Sequence, residues 1–303
     1  MPIKREAAKF KSCRRWAAAF LNMTYSCQCL CDLILVRVLW LVIKHKGAVT
    51  LLLEHEDKMK LLIDEEYPLA AKYDPEWIFE NKMGCQCLWL AESLARIMTL
   101  KPGMRVLDMG CGKALTSIFL AKEFGGTVFA NDLWINPDEN WERIRQAGME
   151  NLVFPIRAEA HALPYAKNFF DAIISINSFQ FFGTADTYLA DEMAHLLRAD
   201  GEFGLVTWGP EKEFDGKVPD SMEQNWWPDF YYFHSLGWWR WHFEKTRLFE
   251  VVAGDDMDGD GVRITRQWAK VMDKHDELHN NQIMRWSRMV ARRNAAQADD
   301  FRS

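Results

Sequence analysis

Between residues 104 and 208, short apolar runs alternate with helical segments, and this alternation limits the chain to few folds. Five runs have the length and composition of buried strands: 104–109, 127–130, 152–156, 172–176 and 202–208. Strands that alternate with helices at this spacing predict a doubly wound, mostly parallel sheet. Ligands of such sheets bind where the strands end, so the residues directly after each strand are the functional candidates.

The loop after the first of these strands reads DMGCGKA. A Walker A loop is excluded because Ala114 stands where Ser or Thr is required. A dinucleotide fingerprint begins well with Gly110 and Gly112, but its third glycine position is Leu115. Asp108, at the strand end, would repel a pyrophosphate. A carboxylate there suits a ligand with positively charged amino and sulfonium groups, such as S-adenosylmethionine.

Acidic residues also follow the next two strands. Asp132 lies 20 residues after Gly112, where a carboxylate can accept hydrogen bonds from both ribose hydroxyls. After the third strand, Glu159 is placed near the edge of an adenine. Each loop is a weak signal alone, but their order and their positions at strand ends together favour an S-adenosylmethionine site.

Four segments resemble the successive motifs of class I S-adenosylmethionine-dependent methyltransferases: VLDMGCGKA, FANDLW, AEAHALPYAKNFFDAIISINSF and LLRADGEFGLVTW. The resemblance covers roughly residues 75–272 and is strongest to the small-molecule branch related to cyclopropane fatty acid synthases. It implies a seven-stranded sheet with a final antiparallel hairpin strand, and S-adenosylmethionine as the cofactor. It does not specify the acceptor.

The resemblance also implies which residues hold the cofactor. The predicted cofactor-binding residues are Asp108, Gly110, Cys111, Gly112, Asp132, Leu133, Trp134, Glu159, Ala160 and Asn177. Those up to Gly112 surround the methionine part and Asp132 binds the ribose. Leu133 and Trp134 flank the adenine, whose edge Glu159 and Ala160 reach.

Two stretches depart from the family pattern. Relatives often carry a histidine after the fourth strand, where this chain has Gln180, and an amide cannot act as a base because it does not titrate. Cys85 and Cys87 stand beside the cofactor entrance, where relatives often have Pro and small polar residues. The catalytic group therefore stays open, with Gln180 and His234 as candidates.

An aromatic segment at 226–243 follows the fifth strand, and ten of its eighteen residues are Trp, Tyr or Phe. Its position predicts a lid over the acceptor pocket, with Trp238, Trp239 and His234 touching the acceptor. Aromatic faces could hold a flat apolar molecule, or a cationic amine through cation–π attraction. The alternative is an aromatic core that covers a long loop.

The acidic sequence DMDGDG at 256–261 matches the first half of a calcium-binding EF-hand loop. Position twelve of that loop is Gln267 rather than the required Glu. The flanks at 247–253 and 262–268 look like strands, so we expect a hairpin between the last two strands and no metal.

Charge and cysteine usage indicate the compartment and the partners. Lys plus Arg number 37 against 43 Asp plus Glu, a net charge of −6 that disfavours nucleic-acid binding. Seven Cys, an odd number, in a chain of this length indicate reduced thiols in the cytoplasm, although Cys27, Cys29 and Cys31 leave a metal cluster as a minor alternative.

The N-terminal region predicts a helical extension. Its apolar stretch at 30–43 is shorter than a membrane span and is interrupted by Asp32 and Arg37. Contact of residues 30–43 with a membrane surface is a minor alternative to packing on the body or a partner.

These observations predict a cytoplasmic S-adenosylmethionine-dependent methyltransferase that acts on a small-molecule acceptor. The extension covers 1–70, the methyltransferase domain covers 71–272 with an aromatic insertion at 210–245, and a C-terminal helix and tail cover 273–303. Two alternatives stay open: a cofactor-binding module that has lost catalysis and acts as a partner subunit, and a nicotinamide-dependent oxidoreductase, which Asp108 disfavours.

Overall fold

The computed structural model describes residues 54–214, 216–226, 228–272 and 283–295. The chain divides into two units, Met1–Glu56 and Asp57–Ser303. Most of the predicted N-terminal extension, including its apolar stretch at 30–43, lies outside the described residues. Within the described ranges, no helix has the length and apolar character that a membrane crossing requires.

A seven-stranded sheet forms the centre of the second unit. Its strands are β1 (Arg105–Met109), β2 (Thr127–Asp132), β3 (Val153–Arg157), β4 (Phe170–Ile176), β5 (Leu197–Pro210), β6 (Phe249–Asp256) and β7 (Met284–Arg293). The order across the sheet is β3-β2-β1-β4-β5-β7-β6, and β7 runs antiparallel to both of its neighbours. The predicted doubly wound sheet with a final antiparallel strand is confirmed.

The helices that connect the strands begin and end largely where capping residues predict. In the described residues they are α1 (Pro75–Asn81), α2 (Cys87–Ala95), α3 (Leu115–Phe124), α4 (Pro137–Gln146), α5 (Leu236–Glu244) and α6 (Asp258–Val271). At the start of α4, the Asn136 side chain accepts a hydrogen bond from the Asp138 N–H, and Pro137 occupies the first turn.

Both faces of the sheet are buried, because successive side chains of a strand point to opposite faces. In β1, Val106 packs in one apolar cluster with Ile118 of α3. Leu107 and Met109 pack in a second cluster with Phe203 of β5. Apolar packing on both faces thus holds the parallel strands β1 to β4 side by side, and their carboxyl ends meet at one edge.

The chain before β5 forms a short π-helical segment. A π-helical turn covers Leu189–Met193, and β5 already begins at Leu197. Residues 198–201 are an irregular part of β5, in which Asp200 has a φ of 61°. Asp tolerates this left-handed conformation because its short polar side chain can bond locally.

The predictions for the C-terminal region are wrong. Residues 258–271 form α6 instead of a hairpin strand, and residues 284–293 form β7 instead of part of a C-terminal helix and tail. α6 is amphipathic, burying Gly261 and Ile264 three residues apart, with acidic residues in its first turn. Because β7 lies between β5 and β6, the sheet continues to Arg293, beyond the predicted boundary at 272.

Candidate functional site

The carboxyl ends of β1 to β4 open into a cavity of about 510 Å³. The loops after these strands and the segment between α1 and α2 supply its lining. Nine of the ten predicted cofactor-binding residues line it: Gly110, Cys111, Gly112, Asp132, Leu133, Trp134, Glu159, Ala160 and Asn177. A cavity of this volume is suited to one small organic ligand.

The turn after β1 requires glycine at two positions. Gly110 has a φ of 71°, and a Cβ atom there would lie 2.4 Å from Ser178 Oγ. Gly112 has a φ of 54°, and its Cβ would lie 3.0 Å from Met83 Sδ. A side chain at Gly110 would therefore strain the backbone and collide with the loop after β4.

Asp132 connects two loops of the cavity. Its Oδ2 accepts a hydrogen bond from the Gly112 N–H at 2.8 Å, and its Oδ1 accepts bonds from the N–H groups of Trp134 and Ile135 at 2.8 and 3.0 Å. A carboxylate has about four acceptor positions. One position, on Oδ2, therefore stays open for a ligand, while the other three hold the loops in place.

Asp108 lies beneath the cavity and not in its lining, unlike the other nine predicted residues. Its Oδ2 accepts hydrogen bonds from the hydroxyls of Thr116 and Ser117 at 2.5 and 2.6 Å. Its Oδ1 is buried without a hydrogen-bond partner among the described residues. Burial raises the pKa of this carboxyl to about 6, although the two hydroxyl groups act in the opposite direction.

Three thiols line the cavity, those of Cys85, Cys87 and Cys111. Burial raises the pKa of the Cys85 thiol to about 12 and raises the pKa of the other two well above the ordinary value. The thiols are therefore protonated at neutral pH and form an uncharged part of the lining. Within the part of the chain that the structure describes, no three His, Cys, Asp or Glu side chains are grouped to hold a metal ion.

Asn177 follows β4 directly and has a left-handed backbone conformation, with a φ of 52°. Its Nδ2 lies 3.7 Å from the sulfur of Cys85, and its Oδ1 accepts a hydrogen bond from Gln180 Nε2 at 3.1 Å. Gln180 is fully buried and does not line the cavity. The structure therefore does not place Gln180 where a catalytic group would act; its contact orients the Asn177 amide.

The structure corrects the predicted acceptor lid. Trp238, Trp239 and His234 do not line the cavity. Trp239 is fully buried in an apolar cluster, and Trp238 stacks on His234 and His242 with ring centroids 3.7 and 4.5 Å apart. The Nδ1 atom of His234 lies 2.9 Å from a carboxylate oxygen of Glu213. For Trp239, the alternative of an aromatic core is the correct one, because its ring packs between the sheet and α5.

Several residues that line the cavity were not predicted from the sequence. Phe181 and Phe182, after β4, and Met83, between α1 and α2, all line the cavity. The position of the two phenylalanines in the sequence could have predicted this, because they come shortly after a parallel strand, where ligands bind. For Met83 the local sequence carries no such signal, since its place depends on how α1 and α2 pack.

Comparisons with known proteins agree with this architecture. Residues 106–201 match the family model described as a methyltransferase domain. Methyltransferase GfsG of Streptomyces halstedii is 33% identical over 118 residues, which are 39% of this chain and 42% of the relative. Ubiquinone/menaquinone biosynthesis C-methyltransferase UbiE of Shewanella frigidimarina is 30% identical over 162 residues, 51% of this chain and 62% of the relative. The chain thus spans less than two thirds of the length of these two relatives.

Solved structures show the same fold. Geranyl diphosphate C-methyltransferase from Streptomyces coelicolor, in complex with Mg²⁺, geranyl diphosphate and S-adenosyl-L-homocysteine, has a TM-score of 0.57 at 16% identity, covering 69% of this chain and 78% of that one. Phosphoethanolamine N-methyltransferase 2 of Haemonchus contortus, in complex with S-adenosyl-L-methionine, has a TM-score of 0.58 at 18% identity. The match covers 78% of this chain and 60% of that one. The predicted resemblance is confirmed: residues 106–201 match a methyltransferase domain, and the fold is that of solved methyltransferases.

Proposed function

We propose that this chain, through its methyltransferase domain, transfers a methyl group from S-adenosylmethionine to a small-molecule acceptor in the cytoplasm. The observation that supports the proposal is the cavity at the strand ends, where the glycine turn and the Asp132 carboxylate meet. The matched relatives named above are methyltransferases, and two solved structures with the same fold hold S-adenosylmethionine or its demethylated product.

The residues around the cavity fit this cofactor. The open acceptor position on Asp132 Oδ2 can bind a ribose hydroxyl. Leu133 and Trp134, which are 44% and 74% exposed, offer apolar faces to an adenine, and Glu159 is available at its edge. The unpartnered Oδ1 of Asp108 favours a positively charged group above the glycine turn, because an unpaired buried negative charge is stabilised by a nearby positive one.

The chain contributes orientation and exclusion of water. S-adenosylmethionine supplies an electrophilic methyl group on a sulfonium. Among the described lining residues that follow β4, none titrates near neutral pH; Asn177 and Ser178 are the polar ones. We infer that rate enhancement comes from holding the acceptor atom close to the methyl group in a dry site, and not from a strong base.

The test is calorimetric titration of the full chain with S-adenosylmethionine and S-adenosylhomocysteine, followed by an acceptor screen that measures release of S-adenosylhomocysteine. Gly110→Ala should weaken binding of both at least about tenfold, because the added Cβ collides with Ser178. Gly259→Ala is the matched control, since a Cβ there meets no atom within 4 Å.

Absence of binding of both compounds to the natural chain would refute the proposal. Tight binding without turnover of any acceptor would favour the partner-subunit alternative instead.

A further inference from the structure

The two halves of the cavity differ in charge. The sheet order β3-β2-β1-β4 puts the loops after β3, β2 and β1 on one half and the loop after β4 on the other. All carboxylate, ammonium and imidazole side chains of the described lining lie at or after the ends of β1, β2 and β3: Lys113, Asp132, Glu159 and His161. The described lining residues at the β4 half are uncharged at neutral pH: Cys85, Ile176, Asn177, Ser178, Phe181 and Phe182.

The charged residues of the first half already have partners. Lys113 Nζ donates to the backbone oxygen of Glu80 at 3.3 Å, and the imidazole of His161 lies 2.9 Å from Glu159. Asp132 accepts three backbone N–H groups, as described above. Because no charged side chain of the described lining lies at the β4 half, a charged acceptor there would be desolvated without an adjacent counter-ion, which is unfavourable.

An aromatic surface leads from the β4 half towards solvent. Phe182 packs edge-on against Phe179 of the core, with ring centroids 5.4 Å apart. Phe181 is 46% exposed and its ring lies 6.3 Å from that of Tyr232, which is itself 45% exposed. An apolar molecule can thus lie along Phe181 and Tyr232 with one end inside the cavity, gaining free energy from the surface it removes from water.

One neutral polar group stands at the inner end of this surface. The Asn177 amide is held by its hydrogen bond from the fully buried Gln180, and its nitrogen points to the thiol of Cys85. An amide both donates and accepts hydrogen bonds. It can therefore anchor an uncharged head group such as a hydroxyl without supplying a charge.

We propose that the acceptor is an uncharged molecule with an apolar body, seated on Phe181 and Phe182 with its polar end at Asn177. This inference rests on the proposed methyl transfer, because it assigns the other half of the cavity to the cofactor. It separates this chain from relatives whose names specify charged substrates, such as geranyl diphosphate.

The inference is tested by binding, independently of turnover. The full chain, saturated with S-adenosylhomocysteine, is titrated with three ten-carbon probes: decan-1-ol, decanoate and decylammonium. We expect decan-1-ol to bind at least about tenfold more tightly than either ion, because burial of an unpaired charge is costly. Phe181→Ala should lower the affinity for decan-1-ol about tenfold, because the apolar contact is lost. Phe154→Ala, at a 36% exposed phenylalanine of β3 outside the lining, should leave the affinity for decan-1-ol unchanged.

The affinity of each variant for S-adenosylhomocysteine shows that it has folded. Tighter or equal binding of either ion, or unchanged decan-1-ol affinity in Phe181→Ala, would overturn the inference while the methyl-transfer proposal stands. Failure of the natural chain to bind S-adenosylhomocysteine would instead refute methyl transfer, and with it the assignment of this surface to an acceptor.

Discussion

Asp108→Asn should stabilise the ligand-free protein while it weakens cofactor binding. The carboxyl lies at the end of β1, 1% exposed, with one oxygen bonded to two hydroxyls and the other without a partner. Holding a buried anion there costs folding free energy that only a positively charged ligand recovers. Such a trade between stability and function is common at binding sites.

The magnitude follows from the pKa of Asp108, which is about 6 in the folded protein against 3.8 for an ordinary Asp. This difference corresponds to about 3 kcal/mol of lost stability once the carboxyl is ionised in both states. Below about pH 4 the carboxyl is protonated in the folded and the unfolded state, so no stability is lost. The loss of stability grows between about pH 4 and 6, because the unfolded chain ionises first, and it is complete above pH 6.

The asparagine keeps an acceptor oxygen for Thr116 and Ser117 but buries an amide nitrogen without an acceptor, which costs about 1 kcal/mol. The net gain above pH 6 is therefore about 2 kcal/mol, or roughly 4–8 °C in Tm for a domain of this size. Below about pH 4, where the natural carboxyl is neutral in both states, the variant should instead be about 1 kcal/mol less stable than the natural chain. Its affinity for S-adenosylmethionine should fall at least about tenfold, because the attraction to the positive charge is lost.

The assay is thermal unfolding of both proteins from pH 4 to pH 8, with calorimetric titration at neutral pH. Glu250→Gln, at an exposed carboxylate of β6, controls for the loss of one negative charge. A Tm difference that does not change with pH, or a variant less stable than the natural chain at pH 7.5, would refute the reasoning about Asp108.

Two further predictions concern Asp132 and the aromatic segment. Asp132→Asn should lower S-adenosylmethionine affinity about tenfold and lower Tm moderately, because an amide nitrogen replaces one oxygen and at least one of the three backbone N–H groups loses its acceptor. Asp132→Ala should lower Tm further, because all three N–H groups lose their acceptor; equal Tm values for the two variants would contradict this. Trp239→Ala should cost about 3–5 kcal/mol in urea unfolding as a core truncation, while Trp241→Ala, at a 56% exposed side chain, should cost less than about 1 kcal/mol. Similar losses for both would show that Trp239 is not a core residue.

Local sequence patterns were sufficient for the elements that carry the proposed cofactor half of the cavity. The bounds of α3 and α4 follow from residues within a turn of their ends, such as Asn136 and Pro137. The strand ends near Asp108 and Asp132 follow from short apolar runs, and two glycines mark the turn after the first of them. These features are predictable because capping, periodicity and turn conformation depend on neighbours along the chain.

The remaining features depended on which elements pack against each other. An aromatic-rich stretch has the same composition whether it forms a lid or a core, and packing against the sheet made Trp239 a core residue. Residues 284–293 are a strand because they pair with both β5 and β6, and residues 262–268 lie in the helix that connects β6 to β7. The proposed acceptor half likewise depends on strand order, which places Asn177 and Phe181 away from the charged loops after β2 and β3. Burial and charge separation are properties of the assembled sheet, and no single segment of the chain contains them.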